Sequence, residues 1–403
     1  MKLAVLLAAT IVLTTSYGQD FWIKRDSVNG PPRAACASFE LNGEAFVLSG
    51  VDLTDFKRKM YSYDLEQDDW DAETALGGDG GSGLERGSAV GFSAGGYGFI
   101  GLGAGSSALL KDLWRYDPET EVWTQMADFE GSARTGAIAF SIGDIAYVGT
   151  GQDEGGLKDD FYSYNPESNS WTELNDFEGD HRKEAVGFAM GGQGYIGTGR
   201  GNKGYMDDFW QYNPSTDEWT QKSDFPGTPR IGAVGCGVFP SAFIMLGEDN
   251  DFEYRDDVWE YNYFGNVWTQ RADYMGGARV QASAIAVSNR IFVGLGYDGT
   301  YHDDFYEYDR VLSMEELGQP LQLNIYPNPV SSEFIISSEG NIDISTLQIY
   351  NTAGTDVSNS FQIINSSANQ MTVNLVNDLP AGNYFISLAS GTDSFGVQQI
   401  IVR

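Results

Sequence analysis

An all-β chain is predicted, with six four-stranded blades forming a β-propeller and a small β-sandwich behind them. Three observations predict it. An arginine follows a glycine by three residues six times, at Arg33, Arg86, Arg134, Arg182, Arg230 and Arg279, in steps of 53, 48, 48, 48 and 49 residues. Each unit holds four short runs of aromatic and β-branched residues bounded by Gly, Asn, Asp or Pro, the signature of strands and turns, and four strands in a unit of this length make a propeller blade. Beyond Asp309 the composition shifts, with no tryptophan from Val311 onward and one basic residue, Arg403.

The chain opens with Met1-Lys2, apolar Leu3 to Leu13, and Ser16-Tyr-Gly18. A charged start, a short apolar stretch and small residues predict a secretory signal peptide over residues 1–18, cut between Gly18 and Gln19, because a bilayer span needs about 20 apolar residues. The lack of a cysteine near that point argues against a lipid-anchored start, and no membrane span is expected elsewhere.

Residues 19–310 carry the blades. The third unit runs Ala133-Arg-Thr-Gly-Ala-Ile-Ala-Phe140, Ile145-Ala-Tyr-Val-Gly-Thr-Gly151, Lys158-Asp-Asp-Phe-Tyr-Ser-Tyr-Asn-Pro166 and Ser170-Trp-Thr172, and the fourth repeats it with Gly194 to Gly199, Asp207 to Pro214 and Trp219. The step from arginine to tryptophan is 37 residues in four units and 38 in the fifth. Strand register is therefore nearly invariant. The return step is 11 residues except from Trp70 to Arg86, where it is 16, which places a five-residue insertion within Leu76-Gly-Gly-Asp-Gly-Gly-Ser-Gly83. The sixth unit lacks its tryptophan, whereas Trp22 stands 11 residues before Arg33 without a unit of its own. Phe21-Trp22-Ile23 is expected to be the outer strand of the last blade, closing the ring by strand pairing.

These units resemble kelch repeats, through the first-strand arginine, the second-strand glycines (Gly149-Thr-Gly151, Gly197-Thr-Gly199, Gly294-Leu-Gly296), the Tyr-Asp/Asn-Pro turn at Tyr116, Tyr164 and Tyr212, and the spaced tryptophan. The double glycine of such units appears here as Gly-x-Gly, or as Leu246-Gly247 in the fifth copy.

Residues 311–320 read as a linker, and residues 321–403 as strands Gln322–Tyr326, Glu333–Ile336, Leu347–Tyr350, Met371–Leu375, Tyr384–Leu388 and Gln398–Val402. Six short strands in so short a segment predict a small sandwich. Ile325-Tyr-Pro-Asn-Pro329, the turn after Leu347-Gln-Ile-Tyr-Asn-Thr-Ala-Gly354, Leu379-Pro-Ala-Gly-Asn-Tyr-Phe385 and the terminal Ile400-Ile-Val-Arg403 resemble the C-terminal sorting domain of the type IX secretion system; an immunoglobulin-like adhesive module is the alternative. The resemblance implies export across the outer membrane of a Gram-negative cell, removal of the domain, release or surface attachment, and the secretion machinery as a partner. An apolar last strand suits recognition by edge pairing.

A net charge of -33 excludes nonspecific nucleic-acid binding, which needs clustered Lys and Arg. No cofactor is expected. Glu248 to Glu253 and Asp153-Glu154 place hard oxygen ligands suited to calcium in loops, although solvated acidic turns are the simpler reading. Cys36 and Cys236 fall on inner strands of blades one and five, which are not neighbours, and a disulfide needs Cα atoms within about 7 Å; two free thiols are expected.

Function is sought on the face where loops from fourth to first and from second to third strand emerge. An aromatic recurs beside an acidic residue at Phe129, Phe177, Phe225 and Tyr274, suited either to stacking on sugar rings or to packing between blades. The arginines, Arg134 and Arg182 among them, are suited to an anion site, or to structural pairing with Asp112, Asp160, Asp208, Asp257 and Asp304. Only His181 and His302 are present, two blades apart, so the copper site of kelch-like radical oxidases is not expected. Ser-His-Asp hydrolysis is not expected either. The expectation is an exported or surface-attached, monomeric, non-catalytic module for a glycan or protein. Its alternative is a sugar mutarotase or epimerase using Glu184 or Glu248 with one of the arginines.

Overall fold

The computed structural model describes residues 20–309 except 82, and 323–403 except 339–342, 352–356, 368, 377–378 and 391–393. The expected leader, its Gly18–Gln19 cleavage point and the 311–320 linker lie outside the described residues.

Residues 20–309 form six four-stranded antiparallel sheets. Blade three is typical, with Ile138–Ile142 innermost, then Ile145–Gly149, Phe161–Asn165 and Ser170–Glu173. Its burial alternates on the first strand and is continuous on the second, as it must be for strands covered on both faces by neighbouring blades. Between blades three and four Phe161 lies 5.2 Å from Tyr212 and 5.1 Å from Trp219, ring centre to ring centre and edge to face. Such rings supply large apolar area and a preferred geometry.

Three devices close the ring. Phe21–Arg25 pairs antiparallel with Phe305–Asp309 of blade six, Trp22 opposite Tyr308, so the propeller's two ends share a sheet. Trp22 occupies the place of the sixth tryptophan, its indole donating to the Ala272 carbonyl as Trp70, Trp123, Trp171 and Trp268 donate to Asp26, Thr74, Ala127 and Ser223 of the preceding unit. Second, the last glycine of each second-strand motif donates its N–H to the carbonyl of the next unit's arginine: Gly50 to Arg86, Gly103 to Arg134, Gly151 to Arg182, Gly199 to Arg230, Gly247 to Arg279 and Gly296 to Arg33. These glycines are required. Gly151 has φ of +95°, and a Cβ there would lie 3.0 Å from the Thr135 oxygen and the Ala137 nitrogen.

The third closure lies two residues after each arginine. Ala35, Ser88, Gly136, Glu184, Gly232 and Gln281 all have φ between 49° and 63°. Each donates its N–H to the carbonyl of its counterpart in the preceding unit, and Ala35 donates to Gln281, a head-to-tail cycle of hydrogen bonds of 2.8 to 3.2 Å.

The C-terminal domain packs a four-stranded sheet, containing Leu323–Tyr326, Glu333–Ser338, Gln370–Leu375 and Phe361–Ser367, on a three-stranded one of Asp343–Asn351, Gly382–Ser390 and Ser394–Val402. Phe334, Ile336, Val373, Ile349, Ile386 and Ile400 share its core. The six expected strands are thus joined by a seventh, Phe361–Ser367, an edge strand with mostly exposed Asn and Ser residues that leaves little periodic signal. Ser394–Val402 lies at a sheet edge, and a parallel bridge from Val330 to Val402 covers its end. Tyr350 and Phe385 meet Phe239 of blade five at 5.3 and 5.8 Å between ring centres.

Candidate functional site

The recurrent arginines sit four residues upstream of the first strands and are 0–1% exposed. In blade three Arg134 Nε donates to the Ser132 carbonyl and Nη1 to that of Thr150, the central residue of the Gly-x-Gly, held in a left-handed conformation. Both terminal nitrogens grip Asp160. The fork recurs as Arg86–Asp112, Arg182–Asp208, Arg230–Asp257 and Arg279–Asp304, with Arg86 reaching both oxygens at 2.8 Å. Burial pushes the Asp112 and Asp257 carboxyls up, yet the bonds from Arg86 and Arg230 outweigh it and hold both below the usual carboxylate range. Arg134 and Arg182, considered above as an anion site, are therefore committed to Asp160 and Asp208 inside the blades. The mutarotase alternative loses its cation for the same reason, since the six arginines are withdrawn from solvent.

The four loop aromatics are corrected likewise. Phe129, Phe177, Phe225 and Tyr274 are only 1–2% exposed and lie over the guanidiniums of Arg134, Arg182, Arg230 and Arg279 at 4.8 to 5.0 Å. Phe129 also packs edge to face on Trp171. Turned inward on a buried cation, they present no ring to a ligand; the period that made them visible is that of the blade interior.

What the loop face exposes comes from residues that do not repeat. At the channel mouth, four of the six ring positions are Ala, Ser or Gly, and Glu184 and Gln281 are the two long ones, Gln281 Nε2 donating to Glu184 Oε2 at 3.2 Å. In the neighbouring second-to-third-strand loops, Tyr205 donates to Glu248 at 3.0 Å; burial, then this carboxylate, raises the Tyr205 phenol above its usual range. At the seam between blades six and one, Tyr297, Tyr301, Pro31, Pro32 and Leu53 line a cleft of about 440 Å³. The two tyrosine rings are 4.9 Å apart, and Leu53 is 90% exposed. Sequence reasoning missed Tyr205, Tyr297 and Tyr301 because the residue type at these bridged loop positions changes from unit to unit.

Asp153 and Asp249 of the acidic loops are engaged with the protein. Asp153 accepts from the Gly155 and Gly156 amides and pairs with Lys158 at 2.9 Å; Asp249 holds Arg255. Among the described residues no group of three His, Cys, Asp or Glu side chains is placed to hold a metal ion. Cys36 and Cys236 are free thiols, and burial pushes both up to about 12.

Residues 324–403 match the secretion system C-terminal sorting domain. The chain therefore carries a signal for export by a type IX secretion system. Among solved structures it is similar to one titled "Structure of YjhT", at 15% identity and a TM-score of 0.59, over 70% of this chain and 96% of that one, a likeness of propeller fold. No curated protein matches the chain. Among the described residues no helix is long and apolar enough to cross a membrane.

Proposed function

We propose that the exported propeller is a non-catalytic binding module that takes a glycan or protein segment on its loop face, at the outer surface of a Gram-negative cell or released from it. The seam cleft carries this reading. Tyr297 and Tyr301 with Pro31, Pro32 and Leu53 form an apolar wall with two phenol hydroxyls, the combination that stacks on a sugar ring or a proline-rich chain while satisfying its polar groups. A glycan and peptide array probed with the full chain tests it. Capture abolished by Tyr297→Ala and Tyr301→Ala, with melting temperature retained, is the expected result; capture indifferent to both overturns the cleft. The catalytic alternative rests on Glu184 at the channel mouth and on the Tyr205–Glu248 pair in the neighbouring loops. Acceleration of anomer interconversion by the full chain, lost in Glu184→Gln, would displace the binding reading.

A further inference from the structure

Blade one breaks the arginine–aspartate rule. In blades three to six the two residues before the third strand are Asp159-Asp160, Asp207-Asp208, Asp256-Asp257 and Asp303-Asp304, and in blade two Lys111-Asp112; in blade one they are Arg58-Lys59. Lys59, at the position of the paired aspartates, is exposed. Arg33 is nevertheless as buried as its counterparts, at 1%. Its Nε donates to Pro31 and its Nη1 to Ser49, while among the described residues Nη2, one of the two nitrogens that grip the carboxylate in the other five blades, has no partner. Val28 replaces the loop aromatic, and Tyr61 lies beneath the guanidinium at 5.2 Å. An uncompensated buried cation is costly. In the other five blades the partnered aspartates are 17 to 23% exposed, so there the carboxylate borders solvent, while Arg33 Nη2 itself is buried. The five-residue insertion lies alongside, with Arg58 donating to the Leu76 and Gly78 carbonyls.

We propose that blade one binds an external carboxylate, which takes the aspartate position against Arg33 with Lys59 at its mouth. A planar two-oxygen anion matches the fork that the same side chain makes five times over. The carboxylate comes either from a free small acid or from a larger molecule such as a uronic acid, and the site does not depend on the seam cleft.

The full chain is melted at fixed ionic strength in chloride, acetate and glucuronate, as wild type and as Lys59→Asp, which supplies the sixth carboxylate internally. The expected result is a wild-type melting temperature that rises with carboxylate but not with chloride, and a Lys59→Asp protein that melts higher and no longer responds. Acetate and glucuronate together mark a free-acid site; glucuronate alone marks a presented carboxylate. Should Lys59→Asp fold poorly, Lys59→Ala keeps the site open and weakens apparent affinity about tenfold, the effect of one charge-assisted contact. Equal response of wild type and Lys59→Asp, or no wild-type response to either acid, overturns the proposal.

Discussion

Blades one and three are built on the same arginine and differ in what surrounds it. In blade three Arg134 is enclosed by Phe129 above and Asp160 beside it, and the unit is self-sufficient. In blade one Val28 and Lys59 stand in those places, the guanidinium is equally buried, and one nitrogen is unmatched among the described residues. Repetition in a propeller thus marks what each blade needs to hold itself together, and functional chemistry is to be sought where a blade departs from it.

The comparison can be broken most severely in blade three. Arg134→Ala leaves the half-buried Asp160 without its cation and removes the bonds to Ser132 and Thr150; a loss of about 3 kcal/mol is expected in urea unfolding, the lower end of the usual cost of breaking a buried pair. Trp22→Ala, which removes a buried ring and the bond to Ala272 at the closure, is expected to cost about 3 kcal/mol and to leave the circular dichroism of a β-protein intact. Arg33→Ala should cost less than Arg134→Ala by at least about 1 kcal/mol, since no carboxylate is orphaned and an unpaired buried charge is removed. Equal losses at the two sites would deny the difference between the blades.

The smallest effects concern pH. The depressed Asp112 and Asp257 carboxyls contribute stability that is present above the unfolded value of about 3.9 and is lost as pH falls through their lower folded values. Asp176 has the opposite sign: burial, and then Asp159 and Asp160, raise it. Asp176→Asn should raise the melting temperature slightly at pH 7, and the gain should vanish below pH about 4, where the unfolded aspartate is also protonated.

The architecture was readable because it repeats: the arginine period numbers the blades, and the misplaced Trp22 identifies the strand that closes them. The same regularity left two readings at Phe129, Phe177, Phe225 and Tyr274, sugar platform or packing, and the rings over buried guanidiniums decide for packing. Phe361–Ser367 escaped because its alternation is short: Phe361 and Ile363 pack on the core, and a register shift between Ile363 and Asn365 leaves Ile364 to Ser367 exposed. Tyr297 and Tyr301 escaped because a loop residue gains its meaning from a neighbour reached only when blades six and one meet.

The cycle of amides at the channel mouth bears on how such a protein can change. Because Ala35, Ser88, Gly136, Glu184, Gly232 and Gln281 spend donor and acceptor on one another, the backbone there is spoken for whatever the side chains are. Four positions carry Ala, Ser or Gly, and their left-handed φ is one that Asn and Asp tolerate. The rim is therefore a dial with vacant settings, on which a designer, or natural drift, can install new recognition chemistry one blade at a time without reopening the ring.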